Sequence, residues 1–212
     1  MYLPDAFRED RIDALHAAIR SAGLVTLVTL GTEGLVASHV PMLLDADAGP
    51  YGTLLGHLAS PNPQGAGSVP GTEALAIFRG PDAYITPSWY ETKRQTGKVV
   101  PTWNYVAVHA YGPVLFFNDP VRLRQIVTRL TERQEQAYPQ PWAVTDAPAD
   151  FVESMLKGIV GFSIPITRIE GKWKMSQNRP AHDLAGVIAG LESAGAADVA
   201  GEVKCANQGR LR

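Results

Sequence analysis

The chain has 212 residues, 45% of them hydrophobic and 19% charged, which is enough for one well-packed domain, or one domain with an appendage. A net charge of −2 excludes a general electrostatic attraction to nucleic acid, and the lone Cys205 excludes an intrachain disulfide or a cysteine metal cluster. A single thiol and a charged start, MYLPDAFREDR, favour a cytoplasmic protein, and no apolar run is long enough to span a bilayer.

The N-terminal half is predicted to form one helix followed by antiparallel strands. Apolar residues at helical spacing place the helix at Asp10–Ala22, with Gly23 as its end. Turn residues at Gly31–Gly34, Asp45–Pro50 and Gly80–Pro81 then separate β-branched and apolar runs. These runs predict strands at Leu24–Leu30, Leu35–Leu44, Tyr51–Ala59, Glu73–Phe78 and Asp82–Thr86.

The C-terminal half mixes strands with helices. Thr102–Phe117 is predicted as one long strand, or as two strands joined at Gly112–Pro113. Asp119 is a good N-cap for a second helix, with Pro120 at its first position. The remaining predictions are a helix at Pro148–Lys157, a strand at Ile159–Ile169, a turn at Gly171, a strand-like Lys172–Met175 and a helix at Pro180–Leu191.

Strands in this sequence cluster instead of alternating with helices. That order favours a mainly β fold, an antiparallel barrel with peripheral helices, over a doubly wound nucleotide-binding sheet. We expect residues 1–195 to form a single domain and residues 196–212 to form a flexible tail. The two long polar loops, Ser60–Gly71 and Glu91–Pro101, are candidates for function because long loops in compact domains often carry it.

The second of these loops lies in an aromatic and basic segment, Ala83–Gly112. Large aromatic residues flank a polar connector that is rich in cations. Such a segment suits a flat, anionic ligand, since rings stack on its plane and cations meet its charge. Packing of the same aromatic residues into the core is the alternative. The residues are Trp89, Tyr90, Trp103 and Tyr105 around Lys93, Arg94 and Lys98.

Polar clusters elsewhere contain the donors that hold phosphate groups: hydroxyls, amides and cations. Neither GxGxxG nor GxxxxGK[ST] occurs, so side chains and loop amides must bind any mononucleotide. For the last cluster, the alternative is a helix entry in which Ser176 or Asn178 is the cap. The clusters are Ser38–Pro41, Gly56–Gln64, Pro87–Tyr90 with Val100–Tyr105, and Lys172–Pro180.

Three histidines on predicted strands offer a different chemistry. His39, His57 and His109 are zinc or iron-porphyrin ligands if they converge. No His-x-x-x-His pair or suitably spaced carboxylate completes such a site, so we predict no protein-bound metal. An ordinary hydrogen-bonded strand histidine is the simpler interpretation of His109.

Six segments in this order resemble the PaiB family: MYLPDAF, SHVPMLL, GHLASPNPQ, GPDAYITPSWY, VPTWNYVAVHAYG and KMSQNRP. The resemblance extends from Met1 to about Pro180. It implies an FMN-binding split β-barrel like that of pyridoxamine-phosphate oxidase, which dimerises with the flavin between the chains. It also implies a negative transcriptional regulator, with DNA as a partner by resemblance only, although no helix-turn-helix pattern is evident.

The resemblance also implies the residues that bind FMN. The strand bearing His39 and Pro41 and the strand end at His57 and Leu58 flank the isoalloxazine ring. No Arg or Lys occurs between Tyr51 and Glu73. The phosphate charge therefore requires either Lys174 or Arg179, or one of Lys93, Arg94 and Lys98 of a second copy. The other implied contacts are Ser60, Asn62, Gln64, Trp89, Thr102, Trp103, Tyr105, Lys174, Ser176, Gln177 and Arg179.

Three classes of function follow. The first is an FMN-binding regulatory protein that senses redox state or a ligand. The second is an FMN-dependent oxidoreductase acting on a small substrate, which needs no protein acid/base pair because the cofactor supplies the chemistry. The third is a haem-binding or haem-degrading split-barrel protein. An absorbance spectrum before and after addition of FMN separates them.

Overall fold

The computed structural model describes residues 1–67, 69 and 72–211. Ser68, Pro70 and Gly71 of the predicted Ser60–Gly71 loop, and Arg212 at the end of the predicted tail, lie outside the described residues. The chain divides into two compact units, each assembled from separate segments. The first unit contains Met1–Leu15, Arg79–Val108 and Glu170–Arg212, and the second contains His16–Phe78 and His109–Ile169.

Within the described residues, ten strands form two sheets, with the orders β1-β10-β7-β6-β2-β3 and β4-β5-β9-β8. The pairings whose register is described are antiparallel, as the clustered strands of the sequence predict. Strands β6 and β7 are long and contribute residues to both units. The strands are β1 Arg8–Glu9, β2 Val25–Gly31, β3 Gly34–Val40, β4 Leu43–Asp45, β5 Thr53–Ala59, β6 Glu73–Ile85, β7 Thr102–Pro113, β8 Leu115–Phe117, β9 Ile159–Pro165 and β10 Arg168–Lys174.

Helices lie between and after these strands. The predicted start of the second long helix is confirmed, since the Asp119 Oδ1 accepts a hydrogen bond of 2.8 Å from the Arg122 N–H. Within the described residues, no helix has both the length and the apolar character needed to cross a membrane. The helices are α1 Ile12–Ser21, α2 Pro63–Gly67, α3 Glu91–Thr96, α4 Pro120–Glu135, α5 Ala149–Leu156, α6 Ala181–Ser193 and α7 Ala197–Ala206.

Two predicted strand boundaries are wrong, in opposite directions. The predicted strand Leu35–Leu44 is interrupted at Pro41, which has no N–H to donate to a strand ladder. Conversely, β6 continues through Gly80–Pro81, where the sequence predicts a break. Gly80 allows β6 to pack closely against β7, since a Cβ at this position would lie 2.8 Å from the Cβ of Val106.

The C-terminal segment differs from prediction in two further places. The turn after β9 falls at residues 166–167, whereas Gly171 lies inside β10 opposite Glu9. Residues beyond 196, predicted as a flexible tail, form α7, because Val199, Ala200 and Val203 are buried against the core of the first unit. The two-strand alternative for Thr102–Phe117 is confirmed, with β7 ending at Pro113 and β8 starting at Leu115. A single domain over residues 1–195 stays a prediction.

Candidate functional site

The first unit carries a cluster of cations beside β10. Lys172 and Lys174 alternate along the strand and therefore share one of its faces. The Lys174 ammonium donates to Thr102 Oγ1 at 2.5 Å and to the Trp103 carbonyl. The Lys172 ammonium donates to the Tyr2 carbonyl at 2.9 Å and lies 5.3 Å from the centroid of the Tyr105 ring. Neutral oxygens and ring faces thus hold both ammonium groups.

Arg179 adds a third positive charge to this cluster. Its guanidinium donates to the Val100 carbonyl at 3.2 Å, and its Cζ lies 4.5 Å from the centroid of the Tyr90 ring. Burial, followed by the nearby charges of Lys172 and Arg179, lowers the pKa of Lys174 below its ordinary value. Among the described residues, no carboxylate forms an ion pair with any of these three cations. The cluster therefore has a surplus of positive charge that an anion would relieve.

An exposed aromatic pair lies in the same unit. The Trp103 side chain is 52% exposed and meets the Tyr84 ring edge-on, with centroids 6.1 Å apart and an interplanar angle of 67°. Trp103 and Tyr105 also line a cavity of about 340 Å³, together with Arg79 and Asp82. A half-exposed indole next to a cavity is a surface on which a flat ligand can stack. That these two rings bind a ligand stays a prediction.

Trp89, another predicted contact, has a packing role. Its indole lies against α6 at Gly190, and its backbone carbonyl faces Gly186, one turn earlier in the helix. A Cβ on Gly190 would come within 2.2 Å of the indole Cδ2, and one on Gly186 within 2.0 Å of the Trp89 carbonyl oxygen. For Trp89, therefore, the structure fits the alternative that aromatic residues of this segment pack into the core.

Ser176 and Gln177 shape the turn that follows β10. Ser176 has a left-handed backbone with φ of 63°, and its hydroxyl and the Asn104 amide hydrogen-bond each other at 3.0 Å while buried. The Gln177 side chain accepts from the Met175 N–H and donates to the Trp173 carbonyl. Neither Ser176 nor Asn178 caps α6, whose N-cap is Pro180 with no side-chain bond. These contacts fix the segment that carries Lys174 and Arg179.

The second unit holds the other predicted contacts, beginning with His39 on β3. The His39 ring is exposed and its Nδ1 lies 3.1 Å from Thr26 Oγ1 on the neighbouring strand. Leu35 and Ala37 alternate with it and are exposed on the same face. His39 is therefore a polar group at the end of an apolar strip. Pro41 follows as a half-buried residue in the link between β3 and β4.

His57, on β5, is half-buried. Burial lowers the pKa of its imidazole below the ordinary value, which favours the neutral ring at physiological pH. Its Nδ1 is buried with no hydrogen-bond partner among the described residues. A neutral ring with one unused nitrogen can bond a ligand heteroatom. The adjacent Leu58 is buried and contributes to the core.

The Ser60–Gln64 loop is tied to the sheet through the side chains predicted to bind FMN. Asn62 donates to Ser38 Oγ at 3.0 Å and accepts from the Gln64 N–H at 2.9 Å, ahead of α2. The buried Gln64 amide donates to the Leu27 carbonyl at 3.0 Å and to Thr29 Oγ1 at 3.1 Å. Asn62 and Gln64 therefore position the loop, while Ser60 stays exposed.

The structure thus brings the predicted contacts together in two sets. The second unit holds His39, Pro41, His57, Leu58, Ser60, Asn62 and Gln64, and the first unit holds Trp89, Thr102, Trp103, Tyr105, Lys174, Ser176, Gln177 and Arg179. Lys172 belongs to the predicted Lys172–Pro180 cluster but is absent from the predicted FMN contacts, although its spacing from Lys174 on one strand was a usable signal. Over the part of the chain that the structure describes, no group of three or more His, Cys, Asp and Glu side chains is arranged to hold a metal.

Solved structures with similar folds define the class of protein. The flavocytochrome Anf3 from Azotobacter vinelandii superposes with a TM-score of 0.55 at 9% identity, covering 77% of this chain and 67% of that one. The FAD and haem binding protein from Mycobacterium smegmatis gives a TM-score of 0.54 at 12% identity, covering 79% and 73%. Together with the antiparallel sheets, they show that this chain has a mainly antiparallel split β-barrel fold.

Sequence comparison gives the family within that class. Residues 1–168 match the family model described as "Putative FMN-binding domain". The protease synthase and sporulation protein PAI 2 of Bacillus subtilis is 33% identical over 193 residues, covering 91% of this chain and 90% of that protein. Protein AN0679 of Emericella nidulans is 36% identical over 230 aligned positions, covering 92% of each. The chain belongs to the PaiB family of FMN-binding proteins, as its motifs predict, and its cofactor is a flavin.

Proposed function

We propose that the protein is a cytoplasmic, homodimeric FMN-binding regulator that senses redox state or a small ligand, with the flavin bound between two copies of the chain. The observation that carries the proposal is the cluster of Lys172, Lys174 and Arg179. A flavin phosphate has about two negative charges at neutral pH, and burying it without cations is costly. The three cations lack a carboxylate partner among the described residues and outnumber those negative charges.

Neutral groups of the site suit the rest of the flavin. Trp103 offers an exposed ring for stacking, and Thr102 orients the Lys174 ammonium. Bound FMN would supply electron or hydride transfer, whereas these side chains bind and orient it.

Homodimerisation is supported by an apolar face of the sheet in the second unit. Residues of β2, β3 and β6 alternate between two faces of the sheet. One face is mostly buried, and the other remains at least partly exposed. A sheet face this apolar is normally covered by protein. The exposed set consists of Thr26, Val28, Leu30, Leu35, Ala37, His39, Leu75 and Ile77, called here the outer face.

A titration with two flavins tests the phosphate assignment. Lys174→Met should weaken the binding of FMN by about tenfold or more, and that of riboflavin far less, because only FMN carries the phosphate. Lys204→Met is the matched control, since Lys204 lies in the same unit and pairs with Glu192 at 2.6 Å. The quenching of flavin fluorescence gives both affinities.

Equal losses of affinity for the two flavins would mean that Lys174 stabilises the fold and that the FMN phosphate does not bind at this cluster. The loss for FMN should also shrink at high salt, where the ion pair of a partly exposed lysine is already screened. A protein that binds neither flavin, while remaining folded by circular dichroism, would contradict the proposal as a whole.

Regulation is proposed because the Bacillus relative carries a name that refers to protease synthesis and sporulation. Binding of the purified holoprotein to DNA from its own upstream region, measured by fluorescence anisotropy, should change when the flavin is reduced. Unchanged or absent binding, together with bleaching of the flavin by NADPH, would favour the FMN-dependent oxidoreductase. A Soret band in the purified protein would favour the haem protein.

A further inference from the structure

We propose a second ligand site, separate from the flavin residues, that binds a small apolar monocarboxylic acid between α4 and α5 of the second unit. A cavity of about 640 Å³ opens there, within the range of small-molecule sites. None of the residues predicted to bind FMN lines it. The proposal therefore stands independently of the proposed function.

The body of the cavity is apolar. Leu123 and Leu156 form its floor and are nearly fully buried as members of one core cluster. Ile159 packs against the same cluster, and Val121, 66% exposed, lies at the rim. An apolar ligand would extend this core cluster and cover the exposed Val121 side chain at the rim.

Two cations line the same cavity without a partner. Arg124, on α4, and Lys157, directly after α5, form no ion pair with any carboxylate in the described part of the chain. Two other arginines of α4 are engaged: Arg122 lies 3.7 Å from the Phe117 ring centroid, and Arg133 donates to the Met42 carbonyl at 2.9 Å. The guanidinium of Arg124 is thus available to a ligand.

The charge balance selects the kind of anion. Glu153 also lines the cavity, so the three charged side chains sum to one positive charge. A single carboxylate neutralises that charge, whereas a phosphate dianion exceeds it and is repelled by Glu153. Arginine binds carboxylates through paired N–H donors, and the apolar floor takes the rest of the molecule. An apolar monocarboxylic acid satisfies both features.

Calorimetric titration of the full-length protein with octanoate tests the site, with octanamide as the neutral analogue of the same length. Octanoate should bind and octanamide should bind much more weakly. Arg124→Gln and Lys157→Gln should each weaken octanoate binding by about tenfold or more, the loss expected for a charge-assisted contact. Arg129→Gln, an exposed residue of the same helix that does not line the cavity, should leave it unchanged.

A variant that fills the cavity provides a second test. Val121→Trp starts from an exposed rim residue, so it should fold normally and abolish octanoate binding by occupying the space. Absence of octanoate binding at millimolar concentration would overturn the proposal. So would equal affinities for octanoate and octanamide, equal effects of the Arg124 and Arg129 changes, or wild-type binding by folded Val121→Trp.

Discussion

The buried carboxylate of Asp183, on α6, holds the start of α3 through Thr92. Its Oδ1 accepts a hydrogen bond of 2.8 Å from the Thr92 N–H, and its Oδ2 accepts one of 3.0 Å from the Thr92 hydroxyl. Helix α3 has six residues and is too short to be stable alone. It carries Lys93 and Arg94, so Asp183 positions the basic loop that the sequence offers as a candidate for function.

Asp183→Ala should lower the free energy of unfolding by about 1.5–3 kcal/mol, because it leaves the donors of Thr92 without their charged acceptor. Thr92→Val should cost about half as much, since its backbone N–H still bonds Asp183. Urea unfolding followed by circular dichroism measures both. An exposed acid, Asp47→Ala, serves as control and should change stability by no more than about 0.5 kcal/mol. A loss no larger in Asp183→Ala than in Asp47→Ala would contradict this role.

Trp103→Ala should weaken FMN and riboflavin binding alike, by about 1–3 kcal/mol, since an indole stacks on the ring system that both flavins share. Trp142→Ala, which removes a similarly exposed indole from the second unit, should have no effect. Flavin fluorescence titrations and thermal melts of the apoproteins separate binding from folding. Unchanged affinity with a lowered melting temperature would assign Trp103 to packing.

The lowered pKa of Lys174 predicts two pH dependences of opposite sign. As pH rises through that pKa, the ammonium is lost and FMN affinity should fall, while riboflavin affinity should change less. Stability of the apoprotein should instead rise between that pKa and the ordinary value of 10.5, because there the unfolded chain binds a proton that the folded chain does not. Titrations and urea unfolding across this window measure both slopes. Identical slopes in Lys174→Met would show that another group titrates.

Much of the fold was predictable because its signals are local. Alternating apolar residues and turn residues indicate most strands, and Asp119 with Pro120 indicates the start of α4. Strand ends were predicted less well where they rested on glycines. Gly80 and Gly171 lie inside strands, at points where neighbouring residues pack too closely to leave room for a Cβ. That close packing is a property of distant residues such as Val106 and Leu15, which no local pattern reveals.

The candidate site shows the same division. Lys174 and Arg179 were predicted from the composition of one segment, and the structure places them beside Lys172. The anchoring bonds of Gln64 to β2 depend on a sequence separation of more than thirty residues. Likewise, the sequence does not indicate that Trp89 meets the glycine face of α6. Residue type predicts which side chains can bind an anionic, aromatic ligand. Long-range contacts decide which of those side chains remain available to it.

Leu35→Arg should convert the proposed dimer into a monomer. Leu35 is 79% exposed on β3 and pairs with Leu30, itself 41% exposed, on the outer face. In a two-fold interface the substitution places one arginine from each copy in the same apolar patch. Because these charges would be buried without a partner, the dimer Kd should rise by more than about a hundredfold. Leu115→Arg is the matched control, an exposed leucine on a strand of the other sheet. Sedimentation velocity should give a monomer for the first variant and a dimer for the second, and two dimers would rule out the outer face as the interface.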